Sequence, residues 1–296
     1  MNLLTPFARL ARECLLAVQF FTRIPITGRL AAWVGFSPDM LRASAAHFPA
    51  VGMLVGAAAA AVYAAALAAL PDTPFSPLVA AVLSTVATVM LTGAFHEDGL
   101  ADVADGLGGS YDKQRALDIM KDSRVGAFGA LALVLALLAK VALLALLGSL
   151  PVLVLEGDDA VQATSLLADA LSSFNGADVC MALWAGHVVS RTLPLLLIYG
   201  LPHVGDAAAS KSKPLADHIG LRRLLIGFLW CFIAIAGVFS TYHAMHLAVA
   251  GSFAVLALLW MARWFQRRLG GFTGDCLGAT QQVCEIAFYL GLAVSQ

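Results

Sequence analysis

Long stretches of this chain without any Asp, Glu, Lys or Arg alternate with short polar ones, and their lengths predict membrane-spanning helices. A helix needs about 20 apolar residues to cross a bilayer. The pattern predicts seven such helices. The first runs from Phe48 to Leu70 and is ended by Pro71-Asp72-Thr73-Pro74. The second is Ser76 to Phe95, the third Gly126 to Leu150 interrupted only by Lys140, and the fourth Ala177 to Gly200 with His187 and Arg191 inside it. Residues 224–262 carry no charge and are too long for one crossing, so Ser240-Thr241-Tyr242-His243 splits them into a fifth and a sixth. The seventh runs from Ala279 to the C-terminus. Residues 7–21 read as a cytoplasmic or interfacial helix, since Arg9, Arg12 and Arg23 break up the apolar stretch a cleaved signal would need. Gly52-x-x-x-Gly56 before an alanine run suits close helix contact in lipid, or is simply a pair of small residues in an alanine-rich span. The expected fold is all-α, one integral membrane domain over residues 1–296.

Composition agrees with the pattern. Of 296 residues 60% are hydrophobic and 12% charged, about half the charged fraction of a soluble domain. A formal net charge of −1 gives no basic field to attract nucleic acid, and none is expected as a partner. The five cysteines contain no C-x-x-C pair and read as small hydrophobes. Charge position then tests the span count. With the N-terminus inside, residues 1–47 and the loops 96–125, 201–223 and 263–278 hold sixteen of the eighteen Lys and Arg residues. The outside loops 71–75, 151–176 and 240–246 hold none, as the positive-inside rule requires. The outer segment 151–176, with Glu156, Asp158, Asp159 and Asp169, reads as a solvated linker.

The candidate chemistry lies in the inside loops. Asp98, Asp102 and Asp105 are spaced i, i+4, i+7, within about 60° of one helix face. Three carboxylates on one stripe repel unless a cation sits among them, and hard oxygen ligands favour Mg²⁺ or Mn²⁺ with phosphate oxygens completing the shell. A solvated acidic cap is the plainer alternative. Lys121 and Arg124, just before the third span, are either positive-inside anchors or a phosphate clamp facing those carboxylates. The glycine-rich run Arg267–Gly278 contains Asp275, either a metal or sugar-hydroxyl ligand or an N-cap. Lys140, Arg191 and Glu285 fall inside spans, where each needs a partner or a wet cavity. Lys140 with Glu285 is a candidate pair, and His187 shares a helix face with Arg191.

Several of these segments together resemble a known family. Phe95-His96-Glu97-Asp98-Gly99-Leu100-Ala101-Asp102-Val103-Ala104-Asp105-Gly106 looks like the F-H-x-D-G-L-A-D-x-x-D-G signature of the cobalamin synthases. These are adenosylcobinamide-GDP ribazoletransferases of the bacterial inner membrane. Phe20–Pro25 resembles the family's F-x-T-R-x-P, and Leu117–Gly126 its L-x-I-M-[KR]-D-S-R-x-G. Ser190-Arg191 resembles its mid-chain S-R, and Gly270–Gly278 its G-G-x-T-G-D-x-L-G.

The resemblance implies a multi-pass enzyme of the inner membrane with its active site facing the cytoplasm. A ribose hydroxyl of α-ribazole, or of its 5′-phosphate, would attack the cobinamide-bearing phosphate of adenosylcobinamide-GDP and expel GMP, with Mg²⁺ required. On that basis His96, Asp98, Lys121 and Arg124 are expected to be catalytic, with His96 or a carboxylate as proton acceptor. Asp98, Asp102 and Asp105 are expected to hold the metal. Arg23, Asp122, Ser123, Arg191, Thr273 and Asp275 are expected to bind substrate. The expected partners are the two substrates and the lipid bilayer, and a homo-oligomer is compatible with all of this. Phe272 stands where many members carry Gln, and residues 151–176 and 201–219 match poorly, so no role passes to Lys211 or Lys213. A CDP-alcohol phosphotransferase would need Ala-Arg where this chain has Asp102-Val103. An ion-coupled transporter would place its carboxylates near the midplane rather than at the cytoplasmic edge.

Overall fold

The computed structural model describes residues 4–149, 176–204, 218–239 and 242–296. Residues 151–175, Lys211, Lys213 and the Ser240-Thr241 break lie outside the described residues. Helices dominate, and among the described residues extended pairing is limited to one bridge between His203 and Phe272.

Helix α1 (Leu4–Phe21) covers the expected N-terminal helix. Two short helices follow, α2 (Gly28–Val34) and α3 (Pro38–Ser44), the latter capped by Ser37 Oγ accepting from Met40 N at 3.1 Å. Leu16, Phe21, Val34, Leu41, Phe48 and Val51 bury one another, fastening this region to α4 (Phe48–Ala69). Helix α4 lies along α9 (Ala177–Thr192). A Cβ at Gly52 would come 2.5 Å from His187 O, and one at Gly56 2.9 Å from Trp184 Cα. The Gly-x-x-x-Gly spacing is therefore a backbone-to-backbone contact surface.

Helix α5 (Ser76–Thr92) ends at Gly93 (φ 67°) and Ala94 (φ 58°), two consecutive left-handed residues. They turn the chain by 89° into α6 (Phe95–Gly109). Next come α7 (Lys113–Met120) and α8 (Ala127–Ser149). Past Leu193, α10 (Pro194–Gly200) continues the line of α9. The last three helices are α11 (Leu221–Ala236), α12 (Ala244–Arg268) and α13 (Gly274–Ser295). Arg267 and Arg268 close α12, at the end where the helix dipole favours cations.

Five segments among the described residues are long and apolar enough to cross a membrane: Pro38–Ala69, α8, α9 with α10, α12 and α13. The bent pair α5–α6 makes a sixth if counted as one span. Of the seven predicted spans, the second and the fifth are thus short. Helix α5 has 17 residues and α11 has 16, about 24–26 Å of rise against a hydrocarbon core of about 30 Å. The causes are local: Gly93-Ala94 stops one, and Gly237 stands at the C-cap of the other. The seventh span begins at Gly274 rather than Ala279, because Thr273 caps it by accepting from Cys276 N at 3.4 Å.

Polarity is distributed inside out. Leu131, Val134, Leu135 and Leu138 of α8 are exposed, as are Leu225, Leu229 and Phe232 of α11 and Leu256 and Trp260 of α12. Lys140, on α8 as well, is only 2% exposed, and Glu285 on α13 only 1%. Apolar exteriors on this scale suit hydrocarbon, with polar atoms satisfied internally. The chain is a multi-pass membrane protein.

The interior polar layer joins three spans. Lys140 Nζ lies 2.6 Å from Glu285 Oε1, the pairing the sequence suggested. Tyr289 donates to the same oxygen at 3.2 Å, and Gln281 Nε2 donates to Glu285 Oε2 at 2.6 Å and Ser190 Oγ at 2.9 Å. Arg191 Nη1 donates to His187 Nδ1 at 2.9 Å and to His187 O at 3.1 Å. His187 Nδ1 is also 3.2 Å from Glu285 Oε2. A guanidinium can only donate, so Nδ1 acts as the acceptor toward Arg191.

Candidate active site

The acidic run folds as the sequence spacing requires, on α6, but its three aspartates meet different surroundings. Asp98 is exposed, Asp102 half-buried and Asp105 buried. Asp105 accepts from Gly126 N at 2.7 Å through Oδ2 and from Gly129 N at 2.8 Å through Oδ1. It caps the start of α8, where unpaired amides and the helix dipole favour a carboxylate. Both oxygens are engaged in holding α8 against α6.

Asp275 approaches the other two aspartates. Helices α6 and α13 approach so closely that a Cβ at Gly99 would lie 2.8 Å from Asp275 O, and one at Gly278 would lie 3.2 Å from His96 O. This contact brings Asp275, in the first turn of α13, beside Asp98 and Asp102. Burial first, then repulsion from Asp275, Asp98 and Asp105, pushes the Asp102 carboxyl up to about 7. The alternative of Asp275 as N-cap does not hold, because Thr273 occupies that position. Thr273 Oγ1 also contacts Asp275 Oδ2 at 3.4 Å, fixing its direction rather than facing open space.

Among the described residues no three His, Cys, Asp or Glu side chains are gathered tightly enough to enclose a metal. Mg²⁺ does not ask for such a cage, since it keeps several waters and takes one or two carboxylates. Hard oxygen donors from two helices, mutually repelling and with no ion pair among the described residues, fit it.

The cationic residues lie at the far end of α6. A Cβ at Gly106 would meet Ala116 O at 2.8 Å, so α7 packs closely there and delivers Lys121 next to it. Arg124, two residues before the amide that Asp105 holds, is exposed. Its Nε donates to Asp122 Oδ1 at 3.0 Å and Oδ2 at 3.1 Å. Those bonds hold the Asp122 carboxyl down at about 2, so Asp122 orients Arg124 and stays ionised. Ser123 is exposed in the same turn. Arg23 sits at the elbow between α5 and α6, its backbone N donating to Leu91 O at 2.7 Å and its guanidinium filling the space a side chain at Gly93 would need.

Two expected site residues are placed elsewhere. Arg191 belongs to the interior layer, buried, 3.9 Å from Glu285 and over the Phe48 ring at 5.8 Å. The structure does not bring it to the carboxylates. His96 is buried on the side of α6 away from Asp98, since two residues rotate a helix by about 200°. Its ring stacks on Phe48. Phe272, where a Gln was the family pattern, is fully buried against His203, and its backbone bridges Pro202 and Val204 at 3.0 and 2.9 Å. The loop before α13 is therefore held by backbone pairing and apolar contact.

Four residues that matter here carried little sequence signal. Glu97 accepts from Gln282 Nε2 at 3.0 Å, and the same nitrogen reaches Gln281 Oε1 at 3.0 Å, tying α6 to the interior layer. Adjacent glutamines inside an apolar span were the available hint. Arg268 donates to Leu107 O at 3.1 Å and stacks over Tyr111, clamping the end of α6 to α12.

No solved structure matches. The sequence profile of the cobalamin-5-phosphate synthases matches residues 13–293. An adenosylcobinamide-GDP ribazoletransferase of Polaromonas naphthalenivorans (strain CJ2) is 67% identical, covering 96% of this chain and 98% of its own. Proteins with the same name from Leptothrix cholodnii (42% identical, covering 95% and 94%) and Vibrio parahaemolyticus (37%, covering 94% and 90%) are similar over comparable lengths. With a profile match over nearly its whole length, this chain belongs to the cobalamin-5-phosphate synthase family of cobalamin-synthesising enzymes.

Proposed function

We propose that this chain transfers the cobinamide phosphate of adenosylcobinamide-GDP to α-ribazole or its 5′-phosphate. The ribose hydroxyl oxygen forms a bond to the cobinamide-bearing phosphorus, the bridging P–O bond to the guanylyl phosphate breaks, and GMP leaves. The observation that carries this is the meeting of Asp98 and Asp102 on α6 with Asp275 on α13 at the Gly99 contact. Those carboxylates would hold Mg²⁺, which would neutralise charge on the pyrophosphate. Asp98, exposed and on the carboxylate face, would take the hydroxyl proton. Lys121 and Arg124 would hold the departing GMP phosphate, Arg124 pre-set by Asp122. Loop charges support a cytoplasmic N-terminus and a site opening to the cytoplasm, in the inner membrane of a bacterium. Purified protein in liposomes, given adenosylcobinamide-GDP, α-ribazole 5′-phosphate and Mg²⁺, is expected to release GMP and the joined corrinoid in equal amounts by mass spectrometry. Activity that persists in EDTA would remove the metal, and absence of GMP from folded protein with either acceptor would remove the reaction.

A further inference from the structure

Repulsion among Asp98, Asp102 and Asp275 works against the contact that gathers them. At that contact glycine meets backbone, Gly99 against Asp275 and Gly278 against His96, with no side chains interlocked to stop α6 from turning. Ahead of it, α6 starts at the Gly93-Ala94 elbow and is not the straight continuation of α5. Among the described residues one hydrogen bond joins α6 to α13, from Gln282 Nε2 to Glu97 Oε1 at 3.0 Å. Both residues are buried, Glu97 at 7% and Gln282 at 3% exposure. Asp275, Gly278 and Gln282 are spaced i, i+3, i+7 and share the stripe of α13 that faces α6. Gln282 is itself held. Its amide nitrogen carries two hydrogens, and the second goes to Gln281 Oε1 at 3.0 Å. Gln281 Nε2 donates onward to Glu285 Oε2 and Ser190 Oγ, and Lys140 pairs with Glu285. Glu97, the neighbour of Asp98 in sequence, is thus where α6 is pinned to a layer anchored on α8, α9 and α13.

We propose that Glu97 is a positioning residue for the metal site, its bond to Gln282 setting the rotation of α6 at which Asp98 and Asp102 meet Asp275. The proposal rests on the transferase reading above and deepens it. Glu97 touches no reacting atom, since it points into the layer, about 100° around α6 from Asp98. It acts because Mg²⁺ demands near-octahedral placement of its ligands, so a small turn of α6 moves Asp98 and Asp102 off a cation shared with Asp275. What the role asks of residue 97 is an acceptor at the reach of a glutamate. Charge at that position is secondary.

Three substitutions separate reach from charge. Glu97→Gln keeps the length and the acceptor and gives up the charge. Glu97 Oε2 has no hydrogen-bond partner among the described residues, so an amide nitrogen in its place breaks no bond. Glu97→Asp keeps the charge and falls a methylene short of Gln282, and Gln282→Leu removes the donor. The readout is the apparent Mg²⁺ affinity of the full-length protein in detergent, taken from the rise of melting temperature with added Mg²⁺. Glu97→Asp and Gln282→Leu are each expected to weaken it about tenfold, while Glu97→Gln stays within about twofold of wild type. Excess Mg²⁺ is expected to restore the kcat of Glu97→Asp, which it would not do for a group taking part in the chemistry. Wild-type affinity in Glu97→Asp, an equal loss in Glu97→Gln, or a kcat of Glu97→Asp that stays low at saturating Mg²⁺ overturns the positioning role. Cooperative melting in EDTA reports folding, and should Gln282→Leu fail it, the comparison of Asp with Gln at residue 97 decides. Wild type that responds to Mg²⁺ and releases GMP, with an affinity indifferent to residue 97, loses the positioning role alone. Wild type that does neither loses the metal site, the reaction and this role together.

Discussion

An aspartate whose two oxygens each accept a backbone amide, and one that faces two other carboxylates, respond differently to the same substitution. Asp105→Asn gives up one acceptor at the α8 N-terminus, and its expected cost is about 1–2 kcal/mol of stability, typical of a lost helix cap. The apparent Mg²⁺ affinity is expected to persist. Asp275→Asn is expected to do the reverse, leaving thermal stability in EDTA unchanged or raised while the Mg²⁺ response of turnover is lost. Thermal melts with and without Mg²⁺ separate the two. The raised Asp102 carboxyl also fixes a pH dependence. The folded chain retains a proton that the unfolded chain releases near 3.8, so this group's contribution is full below that value and lost as pH rises through about 7. In EDTA, melting temperature is expected to fall between about pH 5 and pH 8, and Asp102→Asn to flatten the fall. Added Mg²⁺, which binds the ionised form, is expected to stabilise more at the higher pH. The stripe Asp98, Asp102, Asp105 was legible from spacing alone. That its third member serves α8 was not, because nothing local to residue 105 announces amides that lie more than a helix away in sequence. Asp275 could be suspected in a glycine-rich loop, but only the close approach at Gly99 shows which carboxylates it joins.

At the scale of helices, apolar run length located the spans and missed where two of them stop. Gly93-Ala94 lies inside an uncharged run, and hydropathy does not register a pair of left-handed residues. Ala94 adopts φ 58° with a Cβ, a conformation that costs an L-residue about 1–2 kcal/mol relative to glycine. Ala94→Gly is expected to raise stability by about 1 kcal/mol, a smaller gain because glycine loses more backbone freedom on folding. A denaturation midpoint unchanged or lowered in that variant would show that the elbow carries no strain. Gly99→Leu, in contrast, would push α13 off α6 and separate Asp275 from Asp102. Its expected signature is loss of turnover with α-ribazole binding less affected, measured side by side. The Gly52-x-x-x-Gly56 spacing left two readings open, and the backbone of α9 within 3 Å of a Cβ at each position decides between them.

Over the whole molecule, a charged interior inside an apolar shell sets how the parts hold together. Lys140→Met leaves Glu285 without its closest cation and is expected to cost about 3–5 kcal/mol, the range for breaking a buried pair. Lys140→Met combined with Glu285→Gln is expected to cost less than the two single changes added, as coupled residues do. The same pairing has a consequence for biogenesis. Lys140 and Arg191 are made before Glu285, so helices α8 and α9 enter the bilayer carrying cations whose acid does not yet exist. Each such charge weighs against insertion by about 2.5–3.5 kcal/mol. Until α13 arrives, those early helices are electrically incomplete. Arrival of α13 both closes the ionic layer and brings Asp275 beside Asp98 and Asp102, so a single docking event completes the two.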